Sequence, residues 1–494
     1  MLPSLFAGRE LAIRLAALML ALALSAGSAW SQSAGAIDPA PPGSMSRFAV
    51  GAGERRPAVV KTAGGGPGAE PRRRSLTVES VRVRGNAQTP AAKILSIADL
   101  EPGQEVDPAS IASAARRLES SGLFAEVAVH TRAGARPGEL IVVFDVEERR
   151  PHVRLGVGYE DLSGWYLIPV QLNLDNVAGL GERFRLNARL GLRLGGLEAR
   201  YRLPALSDPR RYVELRLWGE SQDRLYFARS TEIRHRLRRG GADLEGQIPL
   251  STRLALGLHA TAETVEPDSS AEVHRDREAL DWEQGDRVGY EELPPEVRRG
   301  LGRRAQRRLG LHLTIDTRRG GGLERRGIWG RTGAELVAGD EETFGLWRWD
   351  LRAYLPLSPA LQAALRTQAG IAATRAPFYE RFYLGGLYTV RGYPSQSLSP
   401  AGGDTHFAAG SLELRGRWLG PPADPQLTGL IFLDLGLGWS SGAPSPEDGA
   451  AGAGAGLRAR LPWLGRLGLD AGVPLGPSPV EEAFHVNLSI GWTY

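Results

Sequence analysis

Two segments in the last quarter of the chain carry lone charges in apolar surroundings. Residues 382–393 read FYLGGLYTVRGY and place one arginine, Arg391, in a Gly-rich loop. Residues 432–436 read FLDLG and place one carboxylate, Asp434, in an apolar run. A charge in such a setting is costly unless it is paired. We therefore predict that an Arg391–Asp434 pair pins a folded-in loop to the inner wall of a β-barrel.

The residues alone leave a second interpretation open, in which Arg391 is a solvated loop residue and Asp434 lines a water-filled pore. Leucine or isoleucine occupies every second position from 431 to 437, so Phe432, Asp434 and Gly436 share the opposite face. Gly436 permits close approach of another backbone. A charge-assisted contact on that inner face would be shielded from water and stronger than a surface pair.

Other chemically suggestive patterns lack the context that their chemistry needs. Residues 438–442 (GWSSG) fit the serine-hydrolase pattern, but that motif requires a strand–turn–helix and here precedes a loop. Residues 452–456 (GAGAG) lack the lysine and helix of a phosphate loop. The eight histidines show no metal-ligand spacing. We predict no enzyme activity, no cofactor and no metal.

From Pro151 onward the apolar residues follow a strict two-residue alternation, which is typical of strands. The period alone would also fit a soluble sandwich. Segments of about ten residues with aromatics near their ends favour a transmembrane barrel. We expect interfacial tryptophans at positions 165, 218, 347, 349, 418 and 492. Sixteen segments are predicted, centred at 155, 170, 188, 201, 215, 244, 258, 311, 336, 351, 365, 412, 433, 457, 469 and 488.

The predicted connections sort into short and long sets at opposite ends of the barrel. Residues 249–252 and 356–360 are short turns expected on the periplasmic side. The long loops expected outside are 264–308, 378–404, 440–452 and 475–482. The chain ends on an alternating strand, which a closed barrel pairs with the first strand to leave no free edge.

The residues before the barrel divide into three predicted parts. Residues 1–31 resemble a secretory signal, with a basic flank and an apolar run at 15–24. Residues 32–75 are rich in Pro, Gly and Arg and predict a disordered linker. Residues 76–148 predict a small α+β domain of order β-α-α-β-β, with Asp107 and Pro108 starting its second helix. The barrel is expected over 151–494.

Charge and cysteine content say little about function, but the distribution of the charges argues against a nucleic-acid partner. The formal net charge is +4, and the chain has no cysteine. Arginines carry nearly all the positive charge and alternate along strands instead of clustering in one patch. A nucleic-acid partner is therefore not predicted.

The whole of residues 76–494 resembles the BamA/TamA family of outer-membrane assembly proteins, also called the bacterial surface antigen family. Residues 78–86 (VESVRVRGN) and 122–124 (GLF) are similar to parts of one POTRA domain, and 156–159 (GVGY) to the family's first barrel strand. The signature of the family's sixth outer loop is matched by Val390, Arg391, Gly392 and Tyr393. Its known partner strand is matched by Phe432, Asp434 and Gly436.

This resemblance implies a mainly β protein, with a sixteen-stranded antiparallel transmembrane barrel after one POTRA domain. It implies an outer-membrane location, a periplasmic POTRA domain and a role in inserting or translocating proteins. The implied partners are unfolded outer-membrane or secreted proteins, outer-membrane lipid and periplasmic accessory proteins. It also implies a seam between first and last strands, with residues Gly156, Gly158, Tyr159, Gly491, Trp492 and Tyr494.

Some features depart from the family's pattern. Five POTRA domains are typical of the essential assembly protein and three of its translocation relative, whereas one is visible here. The terminal aromatic is Tyr494 in place of the commoner Phe. A dedicated secretion pore and a passive outer-membrane channel are the alternative functions. A periplasmic chain-binding domain argues against the passive channel, which has no use for one.

Overall fold

The computed structural model describes most of the chain from residue 76 onward. The described residues are 76–494 without 122, 150–151, 161, 163, 177, 206–207, 209, 229–230, 275–284, 462–464, 479–482 and 492–494. The predicted signal peptide and linker lie outside the described residues. Among the described residues, no helix is both long and apolar enough to cross a membrane.

The N-terminal unit is a four-stranded sheet with two helices packed on it. Its elements are β1 (Leu76–Arg84), α1 (Ala91–Ala98), β2 (Glu105–Val106), α2 (Pro108–Ser120), β3 (Phe124–Ala133) and β4 (Glu139–Glu148). The sheet order is β2-β1-β4-β3, with β1 parallel to β4. Asp107 caps α2 by accepting a hydrogen bond from the Ser110 N–H at 2.8 Å. The strand β2 was not predicted, because two residues are too few to show an alternation.

Apolar side chains from both helices and the sheet form the core of this unit. Ile94 and Ala98 of α1 and Ala114 and Leu118 of α2 are fully buried. They pack against Phe144 and its neighbours on β4. A single amphipathic stripe on each helix therefore fixes that helix on one face of the sheet.

The second unit is a closed antiparallel barrel, as predicted, with sixteen wall strands among the described residues. They are β5 (His152–Glu160), β6 (Gly164–Asp175), β7 (Arg183–Gly191), β8 (Leu194–Pro204), β9 (Tyr212–Ala228), β10 (Thr231–Pro249), β11 (Leu254–Pro267), β14 (Arg304–Asp316), β15 (Gly327–Gly339), β16 (Thr343–Ser358), β17 (Leu361–Ala372), β18 (His406–Leu419), β19 (Leu427–Trp439), β20 (Gly449–Leu461), β21 (Gly465–Pro474) and β22 (His485–Gly491). Each predicted segment centre falls in one of these strands. The numbers β12 and β13 belong to two short strands in the connection between β11 and β14.

The alternation of side chains gives the barrel two chemically different faces. Outward leucines such as Leu309 and Leu355 are 65% and 60% exposed, forming an apolar belt. The opposite positions carry the charges. Trp418 is exposed near a strand end, as expected for an interfacial residue. Trp218 was wrongly expected there: it shares the parity of Glu214 and Glu220, and its ring lies 4.2 Å from the Arg216 guanidinium carbon on the lumenal face.

Two long connections fill the outer mouth of the barrel. The first consists, in its described residues, of 268–274 and 285–303 and contains β12 (Ala271–His274), β13 (Asp286–Val288) and α3 (Pro295–Arg298), and β12 extends the outer end of β10. We call it the outer cap. The second, residues 373–405, is here called the lumen loop. Val297 of the cap packs against Phe378 and Tyr379 of the lumen loop, so the two connections form one packed layer.

Candidate functional site: the lumen loop and the barrel seam

Glycines with positive φ give the lumen loop its doubled-back path. Gly386 (φ 86°) donates its N–H to the carbonyl oxygens of Val390 and Tyr393 at 3.1 and 3.0 Å, which closes a tight turn. Gly392 has φ 98°, a conformation that strains any residue with a Cβ. The turn carries Val390, Arg391 and Tyr393 into the interior, where all three side chains are buried.

Arg391 meets Asp434 through three hydrogen bonds. The guanidinium Nε and Nη2 donate to the two carboxylate oxygens at 2.7 and 2.8 Å, and the Arg391 backbone N–H donates to one of them at 3.0 Å. Arg391 is 3% and Asp434 1% exposed, so water competes little for the pair. Bidentate geometry fixes direction as well as distance, and it therefore orients the loop on the wall.

Four further charges complete a cluster around this pair, which we call the seam-side cluster. Arg391 also contacts Glu413 at 2.7 Å and Asp470 at 3.5 Å. Glu413 and Asp470 in turn pair with Arg415 at 2.6 Å and Arg458 at 2.7 Å. Three positive and three negative side chains thus balance in a buried site, as a buried charge requires.

The remaining members of the two predicted motifs shape the seat of the loop. The Arg391 guanidinium carbon lies 3.7 Å from the centre of the Phe432 ring, a cation–π geometry. A Cβ on Gly436 would lie 2.5 Å from Val390 Cγ2. The Tyr393 hydroxyl donates to the Ala451 carbonyl oxygen at 3.2 Å. All seven predicted motif residues therefore meet in one place, and their functional role stays a prediction.

Some residues of this seat were missed by the sequence reasoning. Glu413 and Asp470 complete the charge balance, and their only sequence signal was a carboxylate on the inner face of an alternating strand. The Gly-rich run at 452–456 has a packing explanation. A Cβ on Gly452 would lie 1.9 Å from the Arg391 carbonyl oxygen, so this wall position must be glycine for the loop to fit.

The seam between the first wall strand, β5, and the last, β22, is short within the described residues. Among the described residues, β22 and β5 pair at two positions, Ser489 with Glu160 and Ile490 with Tyr159. Gly491 lies opposite Arg466 in the pairing of β22 with β21, in which Ser489 and Ile490 also take part, and Trp492 and Tyr494 lie outside the described residues.

On the other side of the seam, β5 is held by its pairing with β6. The register of this pairing shifts between Arg154 and Gly156, and the pairing continues from Gly156, which lies opposite Ile168. A Cβ on Gly158 would lie 2.3 Å from the Tyr166 ring, which shows how closely that ring covers the strand.

The N-terminal unit is held against the β6–β7 turn of the barrel. The Asn176 side-chain amide donates to the Thr89 hydroxyl at 2.6 Å, and the Lys93 ammonium donates to the Gly179 carbonyl oxygen.

Within the N-terminal unit, the Glu148 carboxylate accepts hydrogen bonds from the backbone N–H groups of residues 87–89. Burial alone would raise the pKa of Glu148, but these donors outweigh it and lower the pKa. Stability from Glu148 is present at neutral pH and is lost in acid.

Comparison with known proteins identifies the class that this architecture defines. The model described as the Omp85 superfamily domain matches residues 176–494, and the model described as POTRA, surface antigen variable number repeat, matches residues 76–149. The first match spans more than half of the chain. The chain belongs to the Omp85 superfamily, with one POTRA domain among its described residues.

Relatives with solved structures or curated sequences fit this assignment. BamA from Haemophilus ducreyi lacking POTRA domains 1–3 superposes with a TM-score of 0.63 at 16% identity, covering 84% of each chain. CdiB from Acinetobacter baumannii gives 0.53 at 14%, covering 84% of this chain and 74% of that one. The outer membrane protein assembly factor BamA of Nitratidesulfovibrio vulgaris is 28% identical over 156 residues. That match spans 29% of this chain and 19% of that protein.

Family and architecture together define the cellular setting. A closed barrel with an apolar outer belt satisfies every backbone group within lipid. The protein is an outer-membrane β-barrel, and its POTRA domain lies on the periplasmic side. The resemblance to the BamA/TamA family drawn from the sequence is thereby confirmed.

Proposed function

We propose that this protein inserts or translocates other proteins at the outer membrane and does so without covalent chemistry. The observation that carries the proposal is that, within the part of the chain that the structure describes, two residue pairs join the seam while other neighbouring wall strands are joined over longer ladders. A strand edge that opens exposes unpaired N–H and C=O groups, and these can pair with an incoming strand. Unfolded outer-membrane or secreted proteins are the proposed clients.

The POTRA domain supplies the receiving surface for such a client. β3 is ten residues long and lies at one edge of the sheet, paired on one side only with β4. An extended client segment can add to that edge through main-chain hydrogen bonds. The contacts of Thr89 and Lys93 with the β6–β7 turn hold the domain two strands from the seam.

The lumen loop then has a mechanical role in the proposed cycle. Its Arg391 end is bonded to β18, β19 and β21, the wall that leads to β22. This wall stays ordered while the neighbouring seam opens, because the seam-side cluster ties its strands together through one guanidinium. Arg391 and Asp434 are therefore proposed as positioning residues for the working conformation.

An insertion assay tests the proposal. The purified chain is placed in liposomes, a urea-unfolded outer-membrane barrel protein is added, and folding is followed by heat-modifiable gel mobility. We expect faster folding than in empty liposomes, with the acceleration lost in Arg391→Ala. Arg375→Ala is the matched control, because Arg375 lies exposed in the same loop.

A second variant separates the POTRA domain from the barrel. Deletion of residues 76–148 is expected to leave a barrel that folds and does not accelerate client folding. Full activity of the deleted form would remove the POTRA domain from the mechanism. No acceleration by the intact chain would contradict insertion and favour the dedicated secretion pore, whose next test is conductance.

A further inference from the structure

The far wall of the barrel holds a second buried charge cluster, which no motif of the sequence pointed to. Its centre is Glu380, the last residue of a short 3-10 helix in the lumen loop and 3% exposed. The Glu380 carboxylate accepts hydrogen bonds from Arg308 of β14 at 2.5 Å and from Arg239 of β10. Arg348 of β16 lies 4.0 Å away.

Two wall carboxylates complete this second set, here called the far-wall cluster. Glu263 of β11 contacts Arg308 at 2.5 Å and Arg239 at 3.2 Å. Glu335 of β15 contacts Arg308 at 3.2 Å and Arg348 at 3.1 Å. The cluster therefore contains three arginines and three glutamates. Loss of Glu380 would leave the arginines in excess by one charge in a buried site.

The two clusters are built alike but receive opposite charges from the loop. At the seam-side cluster the loop contributes a cation, Arg391, to a wall that is otherwise one charge negative. At the far-wall cluster it contributes an anion, Glu380, to a wall that is otherwise one charge positive. Only ten residues separate these two loop positions. Each end of the loop consequently fits one wall and repels the other.

Contacts outside the far-wall cluster, one set from the Arg224 cation and one from an amide, reinforce the far end. The Arg224 guanidinium of β9 donates to the Tyr379 carbonyl oxygen at 3.2 Å and lies 4.7 Å from the centre of the Tyr383 ring. The Gln396 side-chain oxygen accepts a hydrogen bond from the Leu225 N–H at 3.0 Å. Counted from β5, the far-wall contacts of the lumen loop lie between the fifth wall strand (β9) and the tenth (β16). Arg391 contacts the twelfth, thirteenth and fifteenth wall strands, which are β18, β19 and β21.

We infer that the lumen loop is a strut across the barrel, and that Glu380 is a second positioning residue that anchors its far end independently of Arg391. The strut ties the wall that borders the seam to the wall opposite it. Movement at the seam can then release the Arg391 end while the Glu380 end keeps the loop inside the lumen. This inference concerns the anchoring of the loop and holds whether or not the barrel inserts clients.

Limited trypsin digestion of the full chain in detergent, read by mass spectrometry, measures each anchor. Cleavage after Arg381 reports the far end, because Arg381 is half-buried and donates to the Ala376 carbonyl oxygen at 2.8 Å. Glu380→Gln should speed this cleavage roughly tenfold or more. Arg391→Ala should leave it near the wild-type rate. Glu447→Gln, an exposed loop carboxylate, is the matched control.

A charge-balanced double variant distinguishes electrostatics from packing. Glu380→Gln combined with Arg239→Gln removes one charge of each sign and should slow the cleavage again. If Glu380→Gln yields no folded barrel, Glu380→Asp replaces it, with an intermediate rate expected.

Three outcomes would overturn the inference. The first is a wild-type cleavage rate in Glu380→Gln, the second an equal acceleration in Arg391→Ala, and the third no recovery in the double variant. Each is read without an insertion assay, so failure of the strut and failure of the proposed function remain separate results.

Discussion

The seam and the wall beside it differ sharply in how they are held. β18 and β19 pair without a gap from His406–Trp439 to Arg417–Thr428, and the seam-side cluster adds a buried ionic cross-link on their inner face. β22 and β5, three strands further on, pair at two positions among the described residues. Main-chain pairing and a buried ionic cross-link thus coincide at the wall, whereas the described main-chain pairing at the seam is short.

This difference indicates where the barrel can open. Local opening follows the region with the fewest bonds to break, so from the described pairs we expect the seam to open before any other pair of neighbours. We expect the reinforcement of β18–β21 to keep that opening from spreading. A barrel that must admit a strand and still remain a barrel needs both properties, and the predictions below test each of them in order of expected effect.

The strongest test closes the seam covalently. The chain has no cysteine, so a Tyr159→Cys, Ile490→Cys pair introduces the only thiols. Oxidation should abolish client folding in the liposome assay, and reductant should restore it, because the proposed edge can no longer open. Leu412→Cys with Leu433→Cys, opposite each other on the lipid face of the wall, is the control and should stay active when oxidised. Equal inhibition in both pairs would refute the seam as the special site.

The next test weakens the wall. Asp434→Ala removes one partner of a buried ion pair, which typically costs about 3–5 kcal/mol. We expect the barrel to assemble, its heat-modified mobility shift to occur at a lower temperature, and client folding to slow. Glu447→Ala, an exposed carboxylate in the β19–β20 loop, should change neither quantity. Wild-type activity of Asp434→Ala in complementation would contradict the positioning role of the Arg391–Asp434 pair.

A pair of glycine variants compares packing in the two regions. An added Cβ would lie 2.3 Å from the Tyr166 ring at Gly158 and 2.5 Å from Val390 Cγ2 at Gly436. Overpacking of this kind costs about 1–3 kcal/mol. Gly158→Ala should loosen β5 and change client folding with little effect on the lumen loop. Gly436→Ala should displace the loop and speed trypsin cleavage within it, and identical profiles for the two variants would argue against separate roles.

The smallest expected effect concerns pH. Burial raises the pKa of Asp404, in the lumen loop, to about 6, although the Ser399 hydroxyl donates to it at 2.5 Å. The folded form therefore binds the proton more tightly, and this stability is full below about pH 4 and lost as pH rises through about 6. Asp404→Asn should raise the mobility-shift temperature at neutral pH and match wild type in acid. An equal difference at both pH values would show that ionisation is not the cause.

Local patterns made most of the architecture predictable. The two-residue alternation located all sixteen wall strands, because the pleat places successive side chains on opposite faces of any strand. The start of α2 was predictable from Asp107 and Pro108, because the cap and the first helical position both act within one turn of the helix. Lone charges in apolar segments singled out Arg391 and Asp434 but left a solvated arginine possible, and the resemblance of both segments to the family's motifs favoured the pair.

What the sequence by itself determined is thus the set of strands, the face that each residue takes and the two residues that needed a partner. The tertiary structure alone decided which distant strands supply Glu413, Asp470, Arg239 and Arg308, which described residues pair at the seam, and where Glu380 lies. Alternation is a property of neighbours along the chain. Charge balance in a lumen is a property of strands brought together by closure, and residues far apart in sequence carry no local mark of that meeting.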